Sequence, residues 1–257
     1  MRFQLLSDLH LETERFSPEP APDAELLVIG GDVDSSWEGL ELFKGWPVPV
    51  LFVAGNHEFD RRELREAWPA LRARCDALGI EMIECESVVK TGADGRRIRF
   101  VGTVRWCDFD LFGSAGREKA MRAAGYFQKV MQASTDGRLF DAPAVREHAL
   151  SCRSWLAAEL ERPQGDWDET VVITHYGPSM RSVDPRYGAQ PGTASFLNAD
   201  DDLLPRARVW VHGHVHCRHE YEVRHADGTA TRVVCNARGH TSRGEADGYN
   251  GLLAVTA

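Results

Sequence analysis

Leu26-Leu27-Val28-Ile29 is an unbroken apolar run that stops at Gly30-Gly31, and Val50-Leu51-Phe52-Val53 repeats the arrangement just before Gly55. Runs without polar alternation are what strands covered on both faces require. Strands covered on both faces need a layer on each side, which points to an α/β architecture. Phe3 to Ser7 reads as an earlier strand, followed by a Pro-rich connection over Ser17 to Asp23. Further strands are expected at Arg97 to Val101, Val171 to Ile173, Val209 to Val211, Arg218 to Val223, Thr231 to Cys235 and Leu252 to Val255. Ala226-Asp227-Gly228-Thr229, between two of these, is a hairpin signal.

Helical spacing of Leu64, Ala67, Leu71, Cys75 and Leu78 predicts a helix over Arg61 to Leu78, with Trp68-Pro69 bending it or marking a boundary. Arg117 to Gln132 and Pro143 to Leu160 read as two more helices, the second with proline in its opening turn. Strand signals fade between Thr103 and Arg162, and no flexible linker isolates that stretch. The expectation is one domain over residues 1–257 with a helical insertion or cap at about 105–162.

Charge narrows the partners. The chain of 257 residues has 39 acidic and 30 basic side chains, a formal net charge of -9. A general nucleic-acid binder wants a basic surface, so this balance counts against one. No apolar run approaches the roughly 18 residues of a membrane span. The opening stretch turns polar at Ser7-Asp8, too soon for a secretory signal, so a cytoplasmic setting is expected. The six cysteines form no C-x-x-C pair and are read as reduced, small apolar residues.

Five short motifs bear chemistry: Asp8-Leu9-His10, Gly31-Asp32, Gly55-Asn56-His57-Glu58, Thr174-His175 and Gly213-His214-Val215-His216. Four directly follow an expected strand, where the ligands of open α/β sheets bind. Together they bring two carboxylates, an amide oxygen and the imidazoles of His10, His175, His214 and His216. Such a mixed O/N donor set suits Mn, Fe, Zn, Co or Ni. Seven donors exceed the three or four protein ligands that one ion usually takes, and so suit two ions sharing a carboxylate. Residues i and i+2 of extended backbone face the same way, which would let each Asp-x-His or His-x-His pair address one cavity. Alone, each motif is ordinary: Gly-Asp is a common turn and a single histidine is usually structural. Their joint order is what points to metal. His148, His212, His219, His225 and His240 are read as structural, with His212 pointing away from the motif it precedes.

In this order the motifs resemble the pattern of the calcineurin-like metallophosphoesterases, across positions 8 to 216. The small bacterial phosphodiesterase-like branch looks nearest. The resemblance implies a four-layer α/β/β/α sandwich with two central mixed β-sheets. It implies that Asp8, His10, Asp32 and His216 hold one divalent or trivalent ion, and that Asp32, Asn56, His175 and His214 hold a second, with Asp32 bridging. His57 would be no ligand but a general acid or hydrogen-bond donor over the phosphate. Two divalent ions bring four positive charges and the two carboxylates return two negative ones, so the site would be cationic within an acidic protein. The implied reaction is hydrolysis of a phosphodiester or small phosphomonoester by in-line attack of a metal-bridging hydroxide, with a small phosphorylated substrate as partner.

Departures from the pattern narrow it. Gly31-Asp32-Val33-Asp34-Ser35-Ser36-Trp37 lacks the arginine of the protein Ser/Thr phosphatases. Glu58 stands where aspartate is common, and Tyr176 follows His175 where another histidine is common. For substrate contact the candidates are Arg181, Arg186 and Tyr187, in the loop Gly177 to Thr193, and Arg238 in Asn236-Ala237-Arg238-Gly239. Trp106, Asp108 and Tyr126 are candidates for a lid. The competing readings are a non-catalytic binding or scaffold protein on the same fold, and a nuclease using the same site.

Overall fold

The computed structural model describes residues 1–257, apart from the side chain of Gln128. Two mixed sheets lie face to face. The first has the order β13-β1-β2-β3-β4, from β1 (Arg2–Leu6), β2 (Leu26–Ile29), β3 (Val50–Phe52), β4 (Ile80–Met82) and β13 (Ala254–Thr256). β1 to β4 run parallel, and β13 is antiparallel to β1. The second sheet has the order β11-β12-β10-β9-β6-β5. Its strands are β5 (Glu86–Thr91), β6 (Arg97–Thr103), β9 (Glu169–Thr174), β10 (Val209–His212), β11 (His219–Arg224) and β12 (Ala230–Cys235). A two-stranded ribbon of β7 (Ser134–Thr135) and β8 (Arg138–Leu139) stands apart from both.

Alternation along these strands explains the layers. Leu5, Val28 and Leu51 of the first sheet pack against Phe100, Ile173, Val211 and Val234 of the second, closing the interface between sheets. Leu27, Ile29 and Phe52 face the other way and meet Leu64, Leu71 and Cys75 of α1 (Leu64–Leu78). On the far side of the second sheet, Val101, Val172 and Trp210 meet Leu156 and Leu160 of α3 (Ala142–Leu160). The order is thus helix, sheet, sheet, helix, the four-layer arrangement expected. Among the described residues no helix is long and apolar enough to cross a membrane.

Some expectations shift. α1 begins at Leu64 and continues through Pro69, which ends nothing. The helix expected over Arg117 to Gln132 is two pieces: α2 (Ser114–Ala123), then a wider turn over Phe127–Met131. Asp141 caps α3, its carboxylate accepting from the Ala144 N–H. Just beyond β6, Arg105 is fully buried and donates to Asp108 and Asp200, each at 2.8 Å, and to the Ala149 carbonyl of α3 at 3.0 Å. That network, with Asn198 donating to the Trp106 carbonyl at 3.1 Å, ties the 105–162 stretch to the loop beyond His175.

Candidate metal centre

All five motifs leave the carboxyl ends of strands, three from the first sheet and two from the second, so the site straddles the two edges. The edges are stitched together there. Ser7 bridges to Ala237, and the His214 N–H donates to Asp8 Oδ1 at 3.0 Å.

The chain reaches these positions by turns, not by extended backbone. Asp8, His10, Asp32, His214 and His216 have φ of 54°, 47°, 53°, 68° and 45°. Left-handed backbone at a non-glycine residue costs about 1–2 kcal/mol. The pairs Asp8/His10 and His214/His216 converge, as expected, but the strained turns aim them. Two glycines permit the approach. A Cβ at Gly213 would lie 2.1 Å from Ser7 Oγ and 2.3 Å from Asp8 Oδ2, and one at Gly55 would lie 2.2 Å from Asp32 Oδ1.

The expected donors fall into two groups. Donor atoms of Asp8, His10, Asp32 and His216 lie within 4.8 Å of one another, as do those of Asp32, His175 and His214. Asn56 joins the second group, its Oδ1 lying 3.2 Å from His175 Nε2. Asp32 belongs to both. Its Oδ1 accepts the His57 N–H at 2.8 Å. Its Oδ2 is buried and accepts no hydrogen bond, although His175 Nε2 lies 3.1 Å away and His10 Nε2 4.0 Å.

Neighbours fix the ring orientations. His10 Nδ1 lies 3.0 Å from Glu12 Oε1, His216 Nδ1 2.6 Å from Glu245 Oε2, and His175 Nδ1 2.7 Å from the Gly30 carbonyl. Each contact leaves Nε2 turned inward, and His10 Nε2 and His216 Nε2 stand 3.0 Å apart. His214 is reversed: Nε2 meets the Ser195 carbonyl at 3.2 Å, leaving Nδ1 for the cluster. Anchoring one ring nitrogen on a carbonyl or carboxylate while the other faces inward is how ligating histidines are held.

Burial works to raise the two aspartates, but the histidines outweigh it. Asp8 is held at about 2 by the His216 hydrogen bond and the charges of His175 and His216, and Asp32 lies well below its ordinary value beside His175 and His57. Burial pulls His175 down, yet Asp32 and Asp8 bring it up to about 9. Two buried carboxylates thus draw positive charge to this spot. An orphaned carboxylate oxygen shared by two groups of imidazoles, with no thiolate among them, fits a pair of borderline metal ions.

His57 stands beside the cluster. Its Nδ1 lies 2.8 Å from Asp60 Oδ2 and its Nε2 2.8 Å from Tyr126 OH. Tyr126 also accepts from Asn56 Nδ2 at 2.9 Å, which turns the amide oxygen of Asn56 toward His175. Above them is a cavity of about 680 Å³, lined by His57, Tyr126, Arg186, Tyr187, Phe196 and His216 among others. Phe196 stacks on His214, ring centroids 4.8 Å apart. A second hollow, about 760 Å³, lies at the opposite ends of the second sheet's strands around Arg96, Arg208 and Arg232, away from this chemistry.

Two of the substrate candidates face elsewhere. Arg238 lies over Phe16 and donates to the Leu9 carbonyl at 3.2 Å, to Glu14 Oε2 at 3.2 Å and to Thr241 at 2.9 Å, so it braces the Asp8-Leu9-His10 loop from outside the cavity. Arg181 does not line the cavity either. Arg186 and Tyr187 do, and Arg186 is paired with Asp184. Of the lid candidates only Tyr126 reaches the site; Trp106 and Asp108 are buried in the interior. His240, read as structural, stacks on His10 at 4.4 Å and lines the cavity.

Sequence patterns gave no sign of Glu12, Glu245 or the part played by Glu58. Glu58 is buried, and its carboxylate accepts from Asp32 N at 3.0 Å, Val33 N at 2.7 Å and Gly55 N at 2.6 Å. It locks the Gly31-Asp32 loop to the Gly55-Asn56 loop, a span that the shorter aspartate would not bridge in the same way.

Comparison with known proteins follows the same line. Among solved structures, the phosphopantetheinyl hydrolase PptH from Mycobacterium tuberculosis superposes with a TM-score of 0.67 at 19% identity, over 93% of this chain and 90% of that one. A dimetal phosphatase from Danio rerio, LOC 393393, gives 0.48 at 14% identity, over 92% and 87% of the two chains. No curated protein matches by sequence. The calcineurin-like phosphoesterase profile (Metallophos) matches residues 1–218, most of the chain and all five motifs, and the protein therefore belongs to that family of metal-dependent phosphoesterases.

Proposed function

We propose that the protein hydrolyses a small phosphate ester, diester or monoester, seated over two metal ions that Asp32 bridges. The observation that carries this reading is the Asp32 carboxylate: fully buried, common to both donor groups, with Oδ2 accepting no hydrogen bond. Asp8, His10 and His216 would complete one ion's ligands, and Asn56, His175 and His214 the other's. When bound, such ions supply Lewis-acid charge and a water of lowered pKa, so the protein needs no side-chain nucleophile.

The chain's own residues do the rest. His57 opens onto the cavity, its ring pinned between Asp60 and Tyr126, and can hand a proton at Nε2 to the departing oxygen. Tyr126 relays the orientation of Asn56 to His57. Arg186 sits at the rim with its charge already shared with Asp184. The large apolar side chains Val130, Tyr187 and Phe196 are exposed at 51%, 62% and 44%, and all three line this cavity. A wall of that kind favours an ester with an uncharged arm. Among the described residues its lining carries two arginines, Arg186 and Arg243, and not the row of free cations that a polynucleotide backbone would require, which counts against the nuclease reading.

The test is a panel of alkyl and aryl monoesters, linear and cyclic diesters and a phosphopantetheinyl ester, the last because a fold neighbour is named for that group. With added Mn the protein should turn over small esters with uncharged arms faster than a single-stranded oligonucleotide. Failure of the metal-loaded protein to turn over any ester would return the scaffold reading.

A further inference from the structure

We propose that His212, His219 and Cys235 form a third metal site, distinct from the donor cluster of the five motifs and suited to a zinc-class divalent ion. The strand register places the three side chains together. His212 pairs with Cys235 across the parallel β10–β12 contact, and His219 pairs with the same Cys235 across the antiparallel β11–β12 contact. One rung of three adjacent strands thus carries three donors. By alternation they share the face of Trp210, Tyr221 and Val233, the side of the second sheet turned away from the first.

Over that rung the two imidazoles lean together above the cysteine. Their Nε2 atoms stand 3.1 Å apart, and Cys235 Sγ completes a group whose donor atoms all lie within 4.8 Å. Nitrogens of one tetrahedral ion at about 2.0–2.1 Å would be separated by roughly 3.3 Å. His212 Nδ1 donates to the Gly213 carbonyl at 2.9 Å, which leaves Nε2 with its lone pair toward the group. The same arrangement occurs at the main centre, where His10 Nε2 and His216 Nε2 stand 3.0 Å apart with each Nδ1 anchored.

An N–H···N bond from His219 would occupy the one in-plane lone pair of His212 Nε2 and leave Cys235 outside the contact. An ion would take both imidazole lone pairs and the thiolate together. Ser182 Oγ, 2.9 Å from His212 Nε2, can donate to Tyr221 OH, 2.8 Å away, in either case, or join the ion as a fourth oxygen donor. His212, Ser182 and Cys235 are all at 0% exposure, and partly exposed His219 provides the way in. Two imidazoles and a thiolate are softer than the O/N set of the main centre, which favours zinc over manganese. An ion here would staple β10, β11 and β12 together one residue before Gly213-His214.

The thiolate makes the test specific. Cobalt(II) in the main centre meets only oxygen and nitrogen, so a thiolate-to-cobalt charge-transfer band reports a cysteine site alone. The full-length protein titrated with cobalt should show this band. It should vanish in Cys235→Ser, and His219→Ala should bind one zinc equivalent fewer than the wild type. His219 is partly exposed, so the second variant keeps the question answerable where Cys235→Ser fails to fold. The band should survive in Cys152→Ser, which disrupts the other thiol cluster, Glu84, Cys85 and Cys152. A wild-type titration without the band would overturn the proposal. So would a band that persists without Cys235, or one lost with Cys152.

Discussion

The two oxygens of Asp32 have different surroundings. Oδ1 is tied to the His57 backbone, and Oδ2 is left between His10 and His175. On the proposed reading that division would separate the residues that hold the ions from the residue that handles the leaving group, since His57 follows Asn56 in the chain yet turns toward Asp60 and Tyr126. His57→Ala should therefore keep the metal content of the wild type and lose activity, by about 10²–10⁴-fold where proton donation matters. The loss should be larger on alkyl esters, whose alkoxide needs a proton to depart, than on nitrophenyl esters. Equal losses on both would assign His57 to stabilising phosphate charge instead. The motif residues were legible in the sequence because their chemistry restricts the residue type at a fixed spacing. Glu12 and Glu245 were not, because a carboxylate behind an imidazole needs only to lie nearby in space, and Glu245 lies 29 residues beyond the histidine it orients. Arg238 misled for a related reason: an arginine beside a motif can brace the loop from behind as readily as face a substrate.

At the scale of elements, the apolar runs identified the central strands, while edges and junctions escaped. β4 is three residues long, and β5 is half-exposed along its length, so neither shows an apolar run. Left-handed turns at the strand ends were equally hidden, since aspartate and histidine carry no obligatory turn signal as glycine does. The β4–β5 junction also holds a titrating group away from the metals. Glu84 accepts from the Val104 N–H at 2.7 Å and Thr103 Oγ1 at 3.0 Å, and the thiols of Cys85 and Cys152 lie against the same carboxyl group. Burial, and next the Cys152 thiol, push Glu84 well above the ordinary 4.5. Between those two values the folded chain keeps a proton that the unfolded chain releases, so this group makes stability fall as pH rises. Glu84→Gln, neutral at every pH, should flatten the fall that begins as pH rises past the ordinary 4.5 in urea unfolding. Curves that stay parallel for variant and wild type would show that Glu84 ionises normally.

The whole molecule is an acidic body, net charge -9, with a place for cations where its two sheets meet. Both sheets contribute to that place, Asp8, Asp32 and Asn56 from the first and His175, His214 and His216 from the second. Ions held there would join the sheets as well as serve the reaction. Ligands that bind only the folded state stabilise it, by about 2.7 kcal/mol at a hundredfold excess over Kd. Chelation should accordingly lower the melting temperature, and added Mn should restore it. An unchanged melting temperature after complete metal removal would deny the ions this structural part.

The bridging of two ions by Asp32 is tested most directly by metal analysis of Asp32→Asn beside the wild type, both loaded with Mn under the same conditions. The substitution keeps the shape of the side chain and removes the one charge common to both donor groups. Any ion at Cys235 is present in both samples and cancels in the difference. The account predicts that the variant binds two Mn fewer than the wild type. A variant that keeps both, or loses only one, would contradict it.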